Sequence, residues 1–508
     1  MAERAAGILL HPTSFPGPFA VGDLGPEAEL FLDWCLAAGH TVWQVLPLGP
    51  PAVANSPYTC LSAFAGNPLL ISPQRLIEDG LLEPENLEGA PQPMTGKVDF
   101  GAAVPWKEDL LRLSWEHFQQ RASDDLRRAF GDFQVAPEQT PWLDDWTLFS
   151  ALRERQESPS WWTWPEELRS RQAEALEQAR QELAEEIRYH AFLQFLFFRQ
   201  WQRLRDAARE RGLQILGDLP IYVALDSAEV WARPQLFELD DQGQPVAVAG
   251  VPPDYFSPTG QLWGNPLYRW DRMAEEGYGW WIDRLRANLR LADRVRFDHF
   301  RGFAGYWRVE ASETTAENGE WVDGPGLALF EALRDALGSL PLVAEDLGEI
   351  TPDVDELRLA LGLPGMRVLH FAFGEVNGTH IPHRFDPNTV VYTGTHDNDT
   401  TLGWYASADE ETRQRFATYA GPHHEEEVHR VLTRLAHTSV ASLSILPVQD
   451  VIGLGGEARM NVPGLPEGNW AWRLDPDQLT TEHAADLRLL AQISGRFPTD
   501  EQGVSEDT

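Results

Sequence analysis

The chain has 508 residues, of which 43% are hydrophobic and 23% charged, a composition typical of a soluble globular protein with a large core. Its 78 acidic residues outnumber its 41 basic ones. The resulting net charge of −37 argues against nucleic acid and anionic membranes as partners, but not against neutral sugars. Cys35 and Cys60 are too few for a disulfide framework, so we expect a cytoplasmic protein.

The N-terminal part predicts two strands and a turn. A short apolar run that ends at His11 and Pro12 is too short for a secretion signal or a membrane span, so we expect no export signal. Residues 41–46 and 68–71 predict the first two strands, with a turn at residues 55–58 between them.

The strand rhythm then stops for almost ninety residues. Residues 80–165 alternate Pro-rich and acidic stretches with helical segments such as residues 106–121. We interpret them as a largely helical insertion in a catalytic barrel that is formed by residues 1–79 and 166–498. The polar tail, residues 499–508, is predicted to be disordered.

Apolar runs and helical patterns alternate along the rest of the chain. Strands are predicted at residues 213–216, 295–297, 342–344, 367–371, 390–392 and 440–446, and helices at 169–211, 273–291, 328–337, 352–361 and 412–437. Strands that alternate with helices indicate a parallel sheet with right-handed crossovers. With eight strands in all, the sequence predicts an α/β protein with a (β/α)8 barrel and helical insertions.

Three acidic clusters each follow one of these apolar runs: RFDHFRG at residues 296–302, EDLG at 345–348 and THDN at 395–398. The carboxyl ends of barrel strands are where such folds carry their catalytic groups. Chemistry that uses one carboxylate as a nucleophile and another as a proton donor is glycosyl transfer. The clusters therefore predict a carbohydrate-active enzyme.

The residue types within the clusters indicate a division of roles. On a strand, Arg296 and Asp298 share a face, so the guanidinium can keep Asp298 ionised as a nucleophile. A Glu345 beside other carboxylates would have a raised pKa and act as the acid. His396 would bind sugar hydroxyls, and Asp397 would stabilise a positively charged transition state.

A metal site is the competing use of the same residues. His11, Asp298, His299, His396 and Asp397 are all possible ligands. The chain has no His-x-His pair, however, and the arginines that flank these residues would repel a cation. No phosphate-binding loop or dinucleotide fingerprint is present either, so we expect neither a metal nor a nucleotide cofactor.

Two loops carry residues suited to binding sugars. Ser56 and Tyr58 follow the first predicted strand. Residues 250–266 are rich in Pro, Gly and aromatic residues and predict a lid or rim of the site, with Tyr255 and Phe256 at its centre.

Long strings spread over almost the whole chain resemble the 4-α-glucanotransferases, called amylomaltase or disproportionating enzyme, of glycoside hydrolase family 77. Besides the three acidic clusters they are HPTSFPGP (11–18), SPY (56–58), SAFAGNP (62–68), GDLPIYV (217–223), GQLWGNP (260–266), PVQDV (447–451) and EARMNVPG (457–464). Phe297 and the pair Thr59-Cys60 depart from the pattern of the family, which bears on donor length and not on the reaction.

The resemblance implies a retaining transferase that needs no cofactor and acts on α-1,4-glucans, maltooligosaccharides and glucose. It implies Asp298 as nucleophile, Glu345 as acid/base and Asp397 as transition-state stabiliser. It also implies a set of substrate-binding residues: Ser56, Tyr58, Asp218, Trp263, Arg296, His396 and Asn461.

Two alternatives to a transferase remain open from the sequence. An amylase-type hydrolase would use the same three carboxylates with water as acceptor. A non-catalytic glucan-binding protein is disfavoured because binding alone needs no nucleophile.

Overall fold

The computed structural model describes residues 4–156, 160–253, 257–376, 378–465 and 467–497. The tail 499–508, predicted to be disordered, and the central lid residues Tyr255 and Phe256 lie outside these ranges. The described residues contain twelve strands: β1 (Ala5–Leu9), β2 (Val42–Gln44), β3 (Gln214–Pro220), β4 (Ala247–Val251), β5 (Gln261–Pro266), β6 (Arg294–Asp298), β7 (Gly305–Glu310), β8 (Gly319–Asp323), β9 (Leu342–Ala344), β10 (Gly365–Val368), β11 (Thr389–Tyr392) and β12 (Leu443–Pro447).

The helices of the described ranges lie mostly between these strands. They are α1 (Pro26–Ala37), α2 (Pro73–Glu78), α3 (Phe100–Arg121), α4 (Asp124–Val135), α5 (Leu143–Arg155), α6 (Glu166–Arg169), α7 (Ala173–Glu182), α8 (Ala184–Glu210), α9 (Ala228–Ala232), α10 (Trp270–Glu275), α11 (Gly279–Leu291), α12 (Gly326–Leu337), α13 (Pro352–Leu361), α14 (Thr401–Ser407), α15 (Glu410–Ala420), α16 (Val428–Thr438), α17 (Val448–Ile452) and α18 (Thr481–Ile493).

Eight parallel strands form the barrel, in the order β10-β11-β12-β1-β2-β3-β6-β9. The two end strands meet through a hydrogen bond of 2.9 Å from the Ala344 N–H to the Pro364 carbonyl, which nearly closes the ring. The predicted (β/α)8 barrel is therefore confirmed. Because the strands are parallel, their carboxyl ends all lie at one rim.

One of the eight predicted strand positions is wrong, and one strand of the barrel was not predicted. Residues 68–71 are not a strand, because Pro68–Leu70 is a 3₁₀ helix whose first turn is capped by the Asn67 side chain. Burial of Leu70 and Ile71 in the core explains the apolar run there. The missing strand is β1, the run near the N-terminus, which pairs with β12 and β2. Gly7 fits this strand because a Cβ there would lie 2.8 Å from the Val42 carbonyl oxygen.

Several predicted helices are shorter than the patterns indicated. The helix predicted over residues 169–211 is divided into α7 and α8, which follow the end of α6 at Arg169. Residues 273–291 are interrupted at Gly277 and Tyr278, whose φ angles are positive (65° and 55°), and residues 412–437 are interrupted after Gly421 (φ 82°). In the strand predicted at 367–371, a 3₁₀ turn begins after Val368.

The helices between β2 and β3 share the main core with the barrel. Trp43 of β2 is fully buried and donates its indole N–H to the Leu10 carbonyl at 2.8 Å. Further out, Phe118 of α3 and Phe130 of α4 pack against Phe192 of α8 at centroid distances of 4.8 and 6.0 Å. Helices α3 and α4 are thus fixed to α8. The limits of a helical insertion at residues 80–165 remain a prediction.

A second, antiparallel sheet was not predicted. Its order is β5-β4-β7-β8, and its strands come from the connections that follow β3 and β6. Because both connections leave the barrel at its carboxyl-end rim, this sheet borders the acidic clusters. Residues 261–266, predicted as part of a loop, form strand β5, and the Trp263 on it is 37% exposed.

Candidate active site

The three acidic clusters meet at the carboxyl-end rim of the barrel. Asp298 is the last residue of β6, and Glu345 directly follows the neighbouring strand β9. Asp397 lies in the loop that connects β11 to α14. Its contact with Asn461 links this loop to the segment that follows α17.

A buried arginine connects the first cluster to the adjacent strand. Arg296 donates two hydrogen bonds to Asp218 of β3, at 2.8 and 2.9 Å, and forms an ion pair with Asp298 at 2.9 Å. Its Nε–H points at the Met366 sulfur at 3.4 Å. The Arg296 side chain is 4% exposed and that of Asp218 is fully buried, whereas Asp298 is 27% exposed. The guanidinium therefore fixes the Asp298 carboxylate while leaving it open to a ligand.

Glu345 is held by backbone groups on both carboxyl oxygens. The N–H of His299 donates to one oxygen at 2.7 Å, and the N–H of Leu347 donates to the other at 2.9 Å. His299 can aim its N–H at Glu345 because it adopts a left-handed conformation with φ 52° directly after Asp298. The two clusters are therefore locked together through the backbone.

Asp346, the neighbour of Glu345, has a structural role. Its buried carboxylate accepts a hydrogen bond of 2.6 Å from the Met366 N–H and forms ion pairs with Arg358 and Arg367. It holds β10 against the end of β9, and it does not face the ligand side of the rim.

The third cluster contacts the segment that carries Tyr58. The Asn461 amide donates to the Asp397 carboxylate at 2.6 Å, and the His396 ring lies 3.4 Å from its other oxygen. The His396 ring stacks on Tyr58 with centroids 4.9 Å apart, and the Tyr58 hydroxyl donates to Asp218 at 2.7 Å. Tyr58 thus links the third cluster to the first.

The two remaining predicted substrate residues lie at the edge of this network. Trp263 reaches it through an edge-to-face contact with His299, at a centroid distance of 4.7 Å. Ser56 has a different contact, since its hydroxyl accepts a hydrogen bond of 3.3 Å from the Tyr58 N–H and thereby shapes the turn.

The electrostatics separate the proton affinities of the two central carboxyls. Burial raises the pKa of Asp298, and Asp218 and Asp397 add to this effect, but the ion pair with Arg296 opposes it. Burial, together with the charge of Asp298, raises the pKa of Glu345 further, even though Arg296 and two backbone N–H groups act against the shift. The pair therefore loses its first proton from Asp298 and keeps its last one on Glu345.

Some contacts of the site could not be found from sequence patterns. Arg459 donates to the Asp397 carbonyl at 2.7 Å, and Trp470 packs beside Tyr58 and His396 at 5.6 and 5.9 Å. Arg459 lies in one of the strings that carry the family resemblance, which was the signal available for it. The contact of Arg296 with the Met366 sulfur could not be predicted either, because Met366 has the sequence pattern of an ordinary apolar core residue.

Two other kinds of feature are absent from the described part of the chain. No group of three or more His, Cys, Asp or Glu side chains there is arranged to hold a metal ion. No helix there is long and apolar enough to cross a bilayer.

Comparison with known proteins gives consistent matches over nearly the whole chain. A family model described as 4-alpha-glucanotransferase matches residues 10–480. The 4-alpha-glucanotransferase of Thermus thermophilus is 50% identical over 502 residues (97% of this chain and 99% of the relative). That of Synechocystis is 48% identical over 97% and 98% of the two chains. Among solved structures, the amylomaltase of Streptococcus agalactiae in complex with acarbose superposes with a TM-score of 0.94 at 35% identity, covering 98% of this chain and all of the other.

Proposed function

This chain belongs to the 4-alpha-glucanotransferase family and is a 4-α-glucanotransferase. On that premise we propose that it transfers α-1,4-glucan segments to the 4-hydroxyl of glucose or another glucan by double displacement, with retention of configuration. Asp298 is the nucleophile, Glu345 the acid/base and Asp397 the transition-state stabiliser. The observation that carries these roles is the contrast between an Asp298 paired with Arg296 and a Glu345 whose pKa is raised by burial and by the charge of Asp298.

In the first step the donor glucan is cleaved. An Asp298 oxygen attacks the anomeric carbon while the bond from that carbon to the departing O4 breaks, and Glu345 gives its proton to that oxygen. The product is a glycosyl ester on Asp298 and an ionised Glu345. The backbone N–H groups of His299 and Leu347 favour the ionised form, so they support Glu345 after it has released its proton.

In the second step an acceptor replaces the departed glucan. Glu345 takes the proton of the acceptor 4-hydroxyl, whose oxygen attacks the anomeric carbon and displaces Asp298. One α-1,4 bond is broken and one is formed, so the overall reaction is close to isoenergetic and reversible. The exposed Asp397 carboxylate (43% exposed), oriented by Asn461, faces the positive charge that develops on the sugar in both steps.

Seven residues are proposed to bind the glucan. Three have groups suited to direct contact: Trp263 offers an exposed ring for stacking, and His396 and Tyr58 present polar atoms beside the carboxylates. Arg296 and Asp218 are buried and act indirectly, by holding the groups that face the glucan, while Ser56 and Asn461 shape the two flanking segments.

Incubation of the purified chain with maltotriose tests the proposal. We expect glucose and a ladder of longer maltooligosaccharides, with a constant number of reducing ends, and we expect Asp298→Asn to abolish both. New reducing ends without longer products would indicate an amylase-type hydrolase, which the family and the relatives do not favour. Unchanged maltotriose would indicate a glucan-binding protein.

A further inference from the structure

The loop that carries His396 and Asp397 is attached to the barrel at two buried threonines. Thr393 follows the last residue of β11, and Thr401 is the first residue of α14. Both threonines are fully buried (0% exposed), whereas Asp397, between them, is open to solvent. The seven residues 394–400 therefore form a loop whose two ends are fixed and whose middle faces the ligand side.

One carboxylate holds both ends of this loop. Asp450, only 1% exposed, accepts a hydrogen bond of 2.5 Å from the Thr393 hydroxyl on one oxygen. Its other oxygen accepts a hydrogen bond of 2.7 Å from the Thr401 backbone N–H. Asp450 lies on α17 and follows β12, the barrel neighbour of β11. The ends of the loop are thus held from the next strand along the barrel.

The loop itself is internally bonded, so it moves as a unit if its ends are released. The Asn398 side chain accepts hydrogen bonds from the backbone N–H and the hydroxyl of Thr395, at 2.8 and 2.9 Å. The Asp397 N–H in turn donates to the Thr395 hydroxyl at 3.3 Å. A displacement at either threonine would therefore be passed to the Asp397 carboxylate.

The residue before Asp450 supports Asp397 from the opposite side. The Gln449 amide donates to the Ala458 carbonyl at 3.3 Å. The next residue, Arg459, donates to the carbonyl oxygens of Asp397 and Asn461, both at 2.7 Å. Two adjacent residues of α17 thus fix two separate segments that meet at Asp397.

We propose that Asp450 is a positioning residue for the transferase reaction, and that it sets the location of Asp397 by bonding Thr393 and Thr401 at once. This inference rests on the proposed role of Asp397. A misplacement of about 1 Å at a reacting group can reduce the rate by about 100-fold. The expected consequence of loosening one end is therefore a loss of turnover, with little change in ground-state binding of the glucan.

The Thr393 hydroxyl permits a test that preserves packing. Thr393→Val replaces the hydroxyl by a methyl group of similar size and removes the donor to one Asp450 oxygen, whereas Thr393→Ser keeps the hydroxyl. With maltotriose we expect Thr393→Val to lower kcat about tenfold, with KM within about twofold of wild type, and Thr393→Ser to recover most of the loss. Asp450→Asn should lower kcat in the same way.

Asp23→Asn is the matched control for removing a buried charge. Asp23 is a buried carboxylate that accepts from the Gly25 N–H and pairs with Lys107 at 2.9 Å, with none of these contacts at the acidic clusters. It should lower the melting temperature without changing kcat. A kcat loss in Thr393→Val that exceeds the loss in this control, at equal or higher melting temperature, supports positioning over general destabilisation.

Asp397→Asn distinguishes a failure of the positioning role of Asp450 from a failure of the proposed role of Asp397. If Asp397→Asn is inactive while Thr393→Val and Asp450→Asn turn over like wild type, the positioning role is wrong and the proposed function stands. It is also wrong if Thr393→Ser is as slow as Thr393→Val, because the hydroxyl then makes no difference. If Asp397→Asn keeps wild-type transfer, the proposed role of Asp397 itself fails.

Discussion

Replacement of Arg296 by lysine tests the electrostatic design of the site. From a buried position, the arginine contacts Asp218 through two hydrogen bonds and Asp298 through an ion pair at 2.9 Å. A lysine ammonium is a point charge on a flexible stem and cannot hold both carboxylates in this geometry. Because Asp218 is the fully buried partner, we expect the lysine to stay with Asp218 and to lose the contact with Asp298.

The size of the effect follows from that one contact. We expect this close ion pair to contribute about as much as a hydrogen bond to a charged group, about 1.5–3 kcal/mol, which corresponds to a loss of about 10- to 150-fold in kcat/KM. Arg296 also lowers the pKa of Asp298, so its loss lets burial and the neighbouring carboxylates raise that pKa further. The acid limb of the pH profile should therefore move to higher pH by about one to two pH units.

The assay is the rate of glucose formation from maltotriose across the pH range, with the melting temperature measured in parallel. Arg205→Lys is the control, since Arg205 is also buried and pairs with Asp293 at 2.9 Å at the opposite end of the barrel, just before β6. The control should lower the melting temperature and leave the acid limb in place. An Arg296→Lys enzyme with an unmoved acid limb and kcat/KM within about threefold of wild type would refute the reasoning.

Four further expectations concern the chemistry. Glu345→Gln should slow transfer from maltotriose by about 10²- to 10⁴-fold. A maltosyl fluoride donor should still react with Asp298, because its leaving group needs no proton. Equal losses for both donors would contradict the acid role of Glu345. The wild-type rate should fall at acid pH as Asp298 is protonated and at alkaline pH as Glu345 loses its proton, and the alkaline limb should disappear with the fluoride donor. The glycosidic bond formed by transfer should be α when observed by NMR, with the two carboxyls about 5–5.5 Å apart in a ligand complex; a β-linked product would exclude retention. The sequence also predicts that the double variant Tyr255→Ala and Phe256→Ala has a higher ratio of hydrolysis to transfer, measured as new reducing ends against redistributed glucan. An unchanged ratio would mean that other residues select the acceptor.

The barrel strands were predictable because of how parallel strands are buried. A strand covered on both faces appears as a short apolar run, and the polar residue that follows it marks the rim, as at Asp298 and Glu345. The same criterion failed at residues 68–71, where the apolar side chains are buried by a 3₁₀ turn after Pro68. The antiparallel sheet at the rim was missed because strands such as β5 and β8 are largely exposed and carry no apolar run.

The local part of the site was predictable and the long-range part was not. The period of two along a strand predicted the Arg296–Asp298 pair, which the structure contains. The stronger pairing of Arg296 with Asp218 depends on the register of β3 against β6, 78 positions apart in the chain. The support of Asp397 by Asn461 spans 64 positions, and neither spacing has a local signature.

The arrangement around Arg296 fits a reaction that must run equally well in both directions. Before the first step of the proposed mechanism Asp298 is ionised and Glu345 neutral, and after it Asp298 is an ester and Glu345 is ionised. Arg296 interacts electrostatically with both carboxyls, so the negative charge near it changes place but not amount. A fixed, buried cation can then stabilise both states without moving, and neither half-reaction leaves an unpaired buried charge. A transferase that exchanges one α-1,4 bond for another depends on this balance, because each half-reaction must also run in reverse.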